Sequence, residues 1–154
     1  MHYGKFGMHS LSFYNGKKVF ITGHTGFKGT WLSRILLAAG ADVAGFSLPP
    51  AKPSLFELTQ TQSSIRHITG DIRNVDTIKK AVAGFQPEIV FHLAAQPLVR
   101  LSYAEPVMTF ETNVMGTVNI LEAVPKPSHT VCKSCGYYDG NQVIDMDKKD
   151  SKKA

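Results

Sequence analysis

The chain has 154 residues, of which 43% are hydrophobic, and its formal net charge is +5. This length predicts about one domain with a core of its own. The Lys and Arg residues are spread along the chain and form no basic run, so the charge does not indicate a nucleic-acid partner. Residues 1 to 14 lack the sustained apolar run of a secretory signal or membrane helix. We therefore expect a cytoplasmic protein with no membrane partner.

Strand and helix signals alternate along the chain, which is typical of an α/β fold with a parallel sheet and flanking helices. The strands are predicted at Lys18 to Thr22, Asp42 to Ser47, Ile65 to Thr69 and Glu88 to Leu93. The helices are predicted at about Phe27 to Ala39, Val75 to Gly84 and Pro106 to Ala123.

Two of these predictions concern burial. The apolar run Ile89-Val90-Phe91 suits a strand that is buried on both faces. In the last helix, Val114, Val118 and Leu121 fall on one apolar face.

The first strand is followed by three glycines in the run Thr22-Gly23-His24-Thr25-Gly26-Phe27-Lys28-Gly29. Gly23 permits a sharp turn, Gly26 lets the backbone approach a pyrophosphate, and Gly29 lets the new helix pack closely. The phosphates would lie at the helix N-terminus, where free N–H groups and the helix dipole favour an anion. This pattern predicts dinucleotide binding. For the side chain of His24, a phosphate contact is the less favoured of two interpretations, and for Lys28 it stands beside an equal one, a solvated residue at the helix N-terminus.

The sequence changes character at Pro125, where Pro125-Lys126-Pro127-Ser128 breaks the helix. No further run suits a buried strand after this point. We therefore predict an N-terminal extension at 1–15, a truncated Rossmann-like domain at 16–124, and an irregular Cys-x-x-Cys tail at 125–154.

Several further motifs accompany the glycine loop. They are Pro53-Ser54-Leu55-Phe56-Glu57, Gly70-Asp71-Ile72-Arg73, Phe91-His92-Leu93-Ala94-Ala95-Gln96-Pro97-Leu98-Val99-Arg100 and Thr112-Asn113-Val114-Met115-Gly116-Thr117. With them, residues 11 to 124 resemble the extended short-chain dehydrogenase/reductases and, within these, the CDP-glucose 4,6-dehydratases. That resemblance implies a tightly bound NAD, which takes a hydride from C4 of the sugar and returns it after water is eliminated across C5 and C6.

The resemblance also implies roles for individual residues. Thr25, Gly26 and Phe27 would contact the pyrophosphate, and Asp71 and Ile72 the adenine. Leu93, Ala94 and Ala95 would contact the nicotinamide-side ribose, with Asn113 beneath the active site. Ser47 stands where many NAD-binding proteins place an acid for the ribose, so the residues themselves do not exclude a 2′-phosphate by charge.

The family's chemistry needs a tyrosine followed four positions later by a lysine. Tyr103, Tyr137 and Tyr138 are followed at that spacing by Val107, Asn141 and Gln142. We therefore expect no catalytic residues and an inert NAD-binding fragment, with the sugar nucleotide a ligand of the parent enzyme only. We also expect that uncovered apolar faces favour homo-oligomers or docking on an intact dehydratase.

The tail contains the only cysteines, Cys132 and Cys135. Its run from Pro127 to Gly140 resembles the second zinc knuckle of bacterial large-subunit ribosomal protein thirty-two. Half of a tetrahedral zinc site would be present. Three interpretations of the two cysteines remain open: a free or oxidised thiol pair, a zinc shared with His129 or with a second chain, and redox chemistry. A second hypothesis for the whole chain is a zinc-binding or ribosome-associated module, and nucleic acid would be a partner only if this tail reaches the ribosome.

Overall fold

A computed structural model describes residues 11–124 and two short strands, Tyr137–Tyr138 (β5) and Asn141–Gln142 (β6). The chain divides into two compact units, Met1–Val124 and Pro125–Ala154. In the second unit, β5 and β6 form an antiparallel pair. Cys132 and Cys135 lie outside the described residues, so the predictions for the tail remain predictions.

The first unit is built on a parallel four-stranded sheet with the strand order β3-β2-β1-β4. The strands are β1 (Lys18–Thr22), β2 (Asp42–Ser47), β3 (Arg66–Thr69) and β4 (Ile89–His92). In the register, Phe20 of β1 pairs with Ala44 on one side and Val90 on the other. The predicted Rossmann-like fold is thereby confirmed for this unit.

The helices of the first unit are α1 (Phe27–Ala38), α2 (Leu55–Leu58), α3 (Val75–Phe85), α4 (Val99–Ala104), α5 (Pro106–Phe110) and α6 (Gly116–Ala123). A π-helical turn, Glu111–Met115, joins α5 to α6 without leaving the helical conformation. Short 3₁₀ helices occupy Ser12–Tyr14 and Thr61–Ser64. The sequence patterns predict no element where α2, the second 3₁₀ helix and α4 lie.

The core has two parts, one on each face of the sheet. On one face, Val19, Ile21 and Val43 pack with Leu36 of α1. On the other face, Phe20 and Phe46 pack with residues of α3 and α6, including Ile78, Val82, Phe85 and Ile120. Because every apolar face of β1 and β2 is covered, these two strands are buried almost throughout.

The predicted burial of β4 is met in part. Val90 packs on one core cluster and Ile89 and Phe91 pack on the other, but all four residues are only half-buried, because β4 lies at the edge of the sheet among the described strands. The stripe Val114, Val118 and Leu121 is exposed, since α6 turns Gly116 and Ile120 towards the sheet instead. An apolar stripe shows that a face needs a partner, and here the sheet is not that partner.

Candidate functional site

The carboxyl ends of the four strands meet at one edge of the sheet, and the chain reverses direction there. From β1 it moves outward to β2 and β3, and then returns to place β4 on the other side of β1. The switch point therefore lies between β1 and β4, and in open parallel sheets the loops that follow two such strands border a crevice. Ligands of open parallel sheets bind at such a switch point.

The glycine loop lies at this crevice, and two of its glycines are required by contacts inside the chain. Gly23 has φ +73°, and a Cβ on it would lie 2.7 Å from the main-chain nitrogen of Ala94. A Cβ on Gly29 would lie 2.2 Å from the carbonyl oxygen of Gly23. Gly23 thus makes the turn, and Gly29 lets α1 press on it, as the spacing predicts.

Gly26 differs from the other two glycines. Its φ is −73°, and the nearest atom to an added Cβ would be the carbonyl oxygen of Gly23 at 3.4 Å. Packing within the chain therefore does not demand a glycine here. Gly26 is exposed, and the open space beside it would let a ligand approach the main chain of Gly26 closely.

Gly26 is the N-cap residue of α1. No side chain caps this N-terminus by a hydrogen bond, and the first turn contains no acidic residue. Its first N–H groups and the positive end of the helix dipole therefore face outward. Phe27 is 70% exposed beside them, and Lys28 is exposed as well. This arrangement can receive an anion such as a pyrophosphate.

Thr25 and Ser47 connect the glycine loop to the end of β2. Their hydroxyl oxygens lie 2.7 Å apart, and the Thr25 hydroxyl also donates to the carbonyl of Leu48 at 3.3 Å. When Thr25 donates to Leu48, Ser47 donates to Thr25, and the lone pairs of Ser47 remain available. Ser47 is nevertheless almost buried, so its hydroxyl presents only a small surface to the crevice.

The loop after β3 borders a groove of about 480 Å³ lined by Asp71, Arg73, Asn74, Glu111 and Met115. The Arg73 guanidinium donates to both carboxylate oxygens of Asp71, and the distance from Arg73 Nη2 to Asp71 Oδ2 is 2.6 Å. This hydrogen bonding lowers the pKa of Asp71. Asp71 is therefore a fixed, charged acceptor at the wall of the groove.

Ile72, the residue after Asp71, turns its side chain inward. Its side chain is 5% exposed, and it packs so closely on α6 that a Cβ on Gly116 would lie 2.5 Å from its Cδ1. The Ile72 carbonyl accepts from the Asn119 side chain at 2.9 Å. A contact between Ile72 and an adenine would accordingly be a main-chain contact.

The loop after β4 is held by two polar side chains. Thr22 receives the N–H groups of Leu93 and Ala94 at 3.1 and 3.2 Å. Asn113, which lies in the π-helical turn, accepts from the Gln96 N–H at 2.7 Å and donates to the Gln96 carbonyl at 3.0 Å. The amide of Asn113 is thus committed to holding the loop, while Ala95 and Leu93 remain exposed at the crevice.

The suggested phosphate contact for the His24 side chain is wrong, because the ring turns inward. It is fully buried, with Nε2 2.6 Å from Nδ1 of His67 and its edge against the Phe56 ring at 5.2 Å. Its Nδ1 lies beside the main chain of Phe46 without a hydrogen bond of good geometry. Burial, and then the charge on His67, lower the pKa of His24 to about 4.

A glycine on β2 makes room for this ring. A Cβ on Gly45 would lie 2.2 Å from Cγ of His24. His24 and His67 therefore fill the space between the glycine loop, β2 and β3. No sequence pattern indicates this contact, since the two histidines are 43 positions apart.

A further pair of residues, Tyr14 and Lys18, also has the Tyr-x-x-x-Lys spacing. Tyr14 packs on Phe91 with ring centroids 6.4 Å apart, and Lys18 donates to the Phe85 carbonyl at 3.4 Å. Both residues lie at the amino end of β1, the opposite edge of the sheet from the glycine loop. They therefore do not form the catalytic tyrosine–lysine pair of the short-chain dehydrogenase/reductases that this sequence resembles.

Two findings set limits on other sites. Within the described residues, no group of three or more His, Cys, Asp or Glu side chains is placed to hold a metal ion. No helix in the described part of the chain is both long and apolar enough to cross a membrane. Zinc at the two cysteines stays a prediction for residues that the structure does not describe.

Comparison with known proteins identifies the family. The family model for GDP-mannose 4,6 dehydratase matches residues 20–137. CDP-glucose 4,6-dehydratase of Salmonella typhimurium is 54% identical over 114 residues, which are 73% of this chain and 32% of that protein. CDP-paratose 2-epimerase of Salmonella typhi is 37% identical over 70% of this chain and 32% of its own length. This chain thus spans about a third of the length of these relatives.

Solved structures give the same fold. UDP-glucose 4-epimerase of Thermus thermophilus, in complex with NAD, is 33% identical with a TM-score of 0.62, covering 69% of this chain and 33% of that one. The epimerase Mth375 of Methanothermobacter thermautotrophicus is 28% identical with a TM-score of 0.68, covering 79% and 35%. Since the family model matches well over half of the residues, the chain belongs to the GDP-mannose 4,6-dehydratase family of sugar-nucleotide dehydratases and epimerases.

Proposed function

We propose that this chain binds NAD in the crevice between β1 and β4, and that it does not turn over a sugar nucleotide by itself. The observation that carries the proposal is the open space at Gly26, at an uncapped helix N-terminus on the switch point of the sheet. The NAD bound by the related epimerase supports this choice of ligand. NAD supplies a hydride acceptor in such enzymes.

The proposed contacts follow the three loops. The main chain from Thr25 to Phe27 would bind the pyrophosphate, with Gly23 and Gly29 shaping the loop and Ser47 close to a ribose. Asp71 and the main chain of Ile72 would bind the adenine side. Leu93, Ala94 and Ala95 would bind the nicotinamide side, above the loop that Asn113 holds.

The proposal extends to the relative's reaction only in part. The 54% identity to CDP-glucose 4,6-dehydratase supports descent from an enzyme that acts on CDP-glucose. The residues at the crevice include no tyrosine with a lysine four positions on, and a positioned acid/base contributes ~10²–10⁴-fold in such reactions. We infer that the chain alone shows no dehydration of CDP-glucose.

The test is a calorimetric titration of the folded chain with NAD at pH 7.5. We expect a dissociation constant of about micromolar order. Gly26→Ala should weaken binding about tenfold or more, because a methyl group would occupy the space of the pyrophosphate. Gly84→Ala is the matched control, since a Cβ on Gly84 would meet only Arg66 NH2, at 3.7 Å.

Two outcomes would contradict the proposal. One is a folded wild-type chain, checked by circular dichroism, that does not bind NAD. The other is a measurable conversion of CDP-glucose by the chain alone, which would mean that other residues supply the acid/base. Equal weakening by Gly26→Ala and Gly84→Ala would remove the assignment of the pyrophosphate to Gly26.

We further propose that the chain forms homo-oligomers. Support comes from the exposed apolar residues of α5 and α6 and from the half-buried edge strand β4. Unpaired edges and large apolar patches are both disposed to association.

A further inference from the structure

A chain of side-chain hydrogen bonds runs from β1 through β4 to α6. Thr22 Oγ1 lies 2.6 Å from Nδ1 of His92, and His92 Nε2 lies 3.1 Å from Thr117 Oγ1. Thr117 in turn donates its proton to the Asn113 carbonyl at 2.8 Å. Thr22 is fully buried and His92 is half-buried, so water is excluded from the first link of this chain.

The contacts of Thr22 fix where the protons lie. A hydroxyl has one proton and two lone pairs. Both lone pairs of Thr22 are used by the N–H groups of Leu93 and Ala94. The Thr22 proton is then directed to His92 Nδ1, which must be unprotonated to accept it.

The rest of the order follows from this assignment. A neutral imidazole with an unprotonated Nδ1 carries its proton on Nε2. That proton is directed to Thr117 Oγ1, whose own proton goes to Asn113. Each hydrogen bond therefore has one donor and one acceptor, and the direction is the same along the whole chain.

We propose that His92 is a positioning residue for the cofactor: its neutral Nε2–H form holds the main chain of Leu93 and Ala94, through Thr22, in the conformation that receives the nicotinamide side. The cofactor role rests on the proposed function, whereas the proton order does not. No contact between His92 and a ligand is required. The ring acts through Thr22 on one side and through Thr117 and the Asn113 turn on the other.

Protonation of His92 disturbs this arrangement. An Nδ1–H would be directed at the Thr22 oxygen, which already accepts from two N–H groups. One of the three donors must withdraw, and the Thr22 proton loses its acceptor. Leu93 keeps a second bond, to the Thr22 carbonyl at 3.1 Å, so the link to Ala94 is the one we expect to be lost.

The surroundings of the ring favour the neutral form at neutral pH. β1 presents the Thr22 hydroxyl to it, and α6 presents the Thr117 hydroxyl. Burial lowers the pKa of His92, and among the described residues no charged group contributes to that shift. A second pair of histidines, the buried His24 and the half-buried His67, lies on the β2–β3 side of the sheet and needs a separate control.

The first test is ¹⁵N NMR of the histidine rings in the full chain, without cofactor, at pH 7.5. The His92 signals are identified by their loss in His92→Asn. We expect an unprotonated, pyridine-type Nδ1 and a protonated, pyrrole-type Nε2. The opposite tautomer, or a charged ring, would overturn the proposed proton order.

The second test compares Thr117→Val with Thr117→Ser. Valine removes the acceptor of Nε2 and should mix the tautomers and weaken NAD binding about two- to tenfold, the equivalent of one hydrogen bond. Thr117→Ser keeps the hydroxyl, so the single tautomer of His92 and the wild-type NAD affinity should both be retained. If Thr117→Val lowers only the melting temperature and leaves the tautomer and NAD affinity unchanged, the role is merely structural and the proposal fails.

The third test is the pH dependence of NAD affinity. Wild-type affinity should be constant above pH 6.5 and fall as the pH drops below it, and the fall should be absent from His92→Asn and retained in His67→Gln. A fall that disappears in His67→Gln would overturn the assignment to His92. A wild-type chain with the expected tautomer but no NAD binding at any pH would overturn the cofactor role together with the proposed function, while the NMR result decides the proton order by itself.

Discussion

At the scale of single residues, the glycines of the loop have different physical reasons to be glycine. Gly23 and Gly29 are excluded from carrying a side chain by main-chain atoms of this chain, whereas Gly26 is not. The motif is local, so the sequence could predict the turn and the close helix. It also predicted Gly26 as the glycine that a ligand approaches, but it could not show that Gly23 is confined by Ala94 of the loop after β4.

Gly29→Ala should destabilise the fold. Its Cβ would lie 2.2 Å from the Gly23 carbonyl oxygen and 2.6 Å from the His24 Cα, and neither backbone atom can move without opening the loop. We expect a loss of about 1–3 kcal/mol in the free energy of unfolding, typical of overpacking. Urea unfolding measures it.

Gly84→Ala in α3 is the control for the same chemical change. It meets no close atom and should raise stability by about 0.5–1 kcal/mol, as glycine is a poor helix former. A Gly29→Ala chain as stable as Gly84→Ala would show that the contact between α1 and the loop is not tight.

At the scale of elements, sequence patterns located the strands well but not their surroundings. β1 and β2 begin and end at the predicted residues, because glycines and prolines mark their ends. The partial exposure of β4 and the side that α6 turns to the sheet could not be predicted, since both depend on which element packs beside them. The π-helical turn at Asn113 also has no local sequence pattern that identifies it.

Pairing of His24 with His67 joins the glycine loop to β3 and should make stability depend on pH. The folded pKa of His24 is about 4, against 6.5 as the ordinary value. A base with a lowered folded pKa contributes stability that is fully present above pH 6.5 and is lost as the pH falls towards 4. At ~1.4 kcal/mol per pKa unit, His24 alone accounts for about 3 kcal/mol.

Urea unfolding between pH 7.5 and pH 4.5 checks this dependence. We expect the wild-type free energy of unfolding to decrease steadily below pH 6.5, and His24→Gln to show a shallower decrease. Burial also lowers the pKa of His67 and of His92, so the variant should keep part of the slope. Equal slopes in the two chains would mean that His24 is not the group that titrates.

At the scale of the whole molecule, the distribution of apolar surface is uneven. Several large apolar side chains are exposed along α4 to α6, namely Val99, Tyr103, Val107, Phe110, Val114, Met115, Val118 and Leu121. A groove of about 420 Å³ runs among them. Residue types alone could predict that such a face exists, but only the fold shows that it lies next to the edge strand.

We expect this face to bind hydrophobic dyes and to cause self-association at about micromolar concentrations. Val114→Lys should reduce dye fluorescence and shift sedimentation towards the monomer, since a charge on the face opposes its burial. Leu58→Lys is the matched control, because Leu58 is 77% exposed on α2, away from this face. A similar effect of both variants would indicate general solubility, not a specific face.

The fit between Gly45 and His24 constrains the order in which this protein can change. An alanine at position 45 clashes with the imidazole, so it becomes acceptable only after His24 has been replaced by something smaller. Loss of His24 in turn leaves Nδ1 of the half-buried His67 without its hydrogen-bond partner. The three positions are therefore expected to be inherited as a set, and a lineage that leaves this combination must pass through a less stable intermediate.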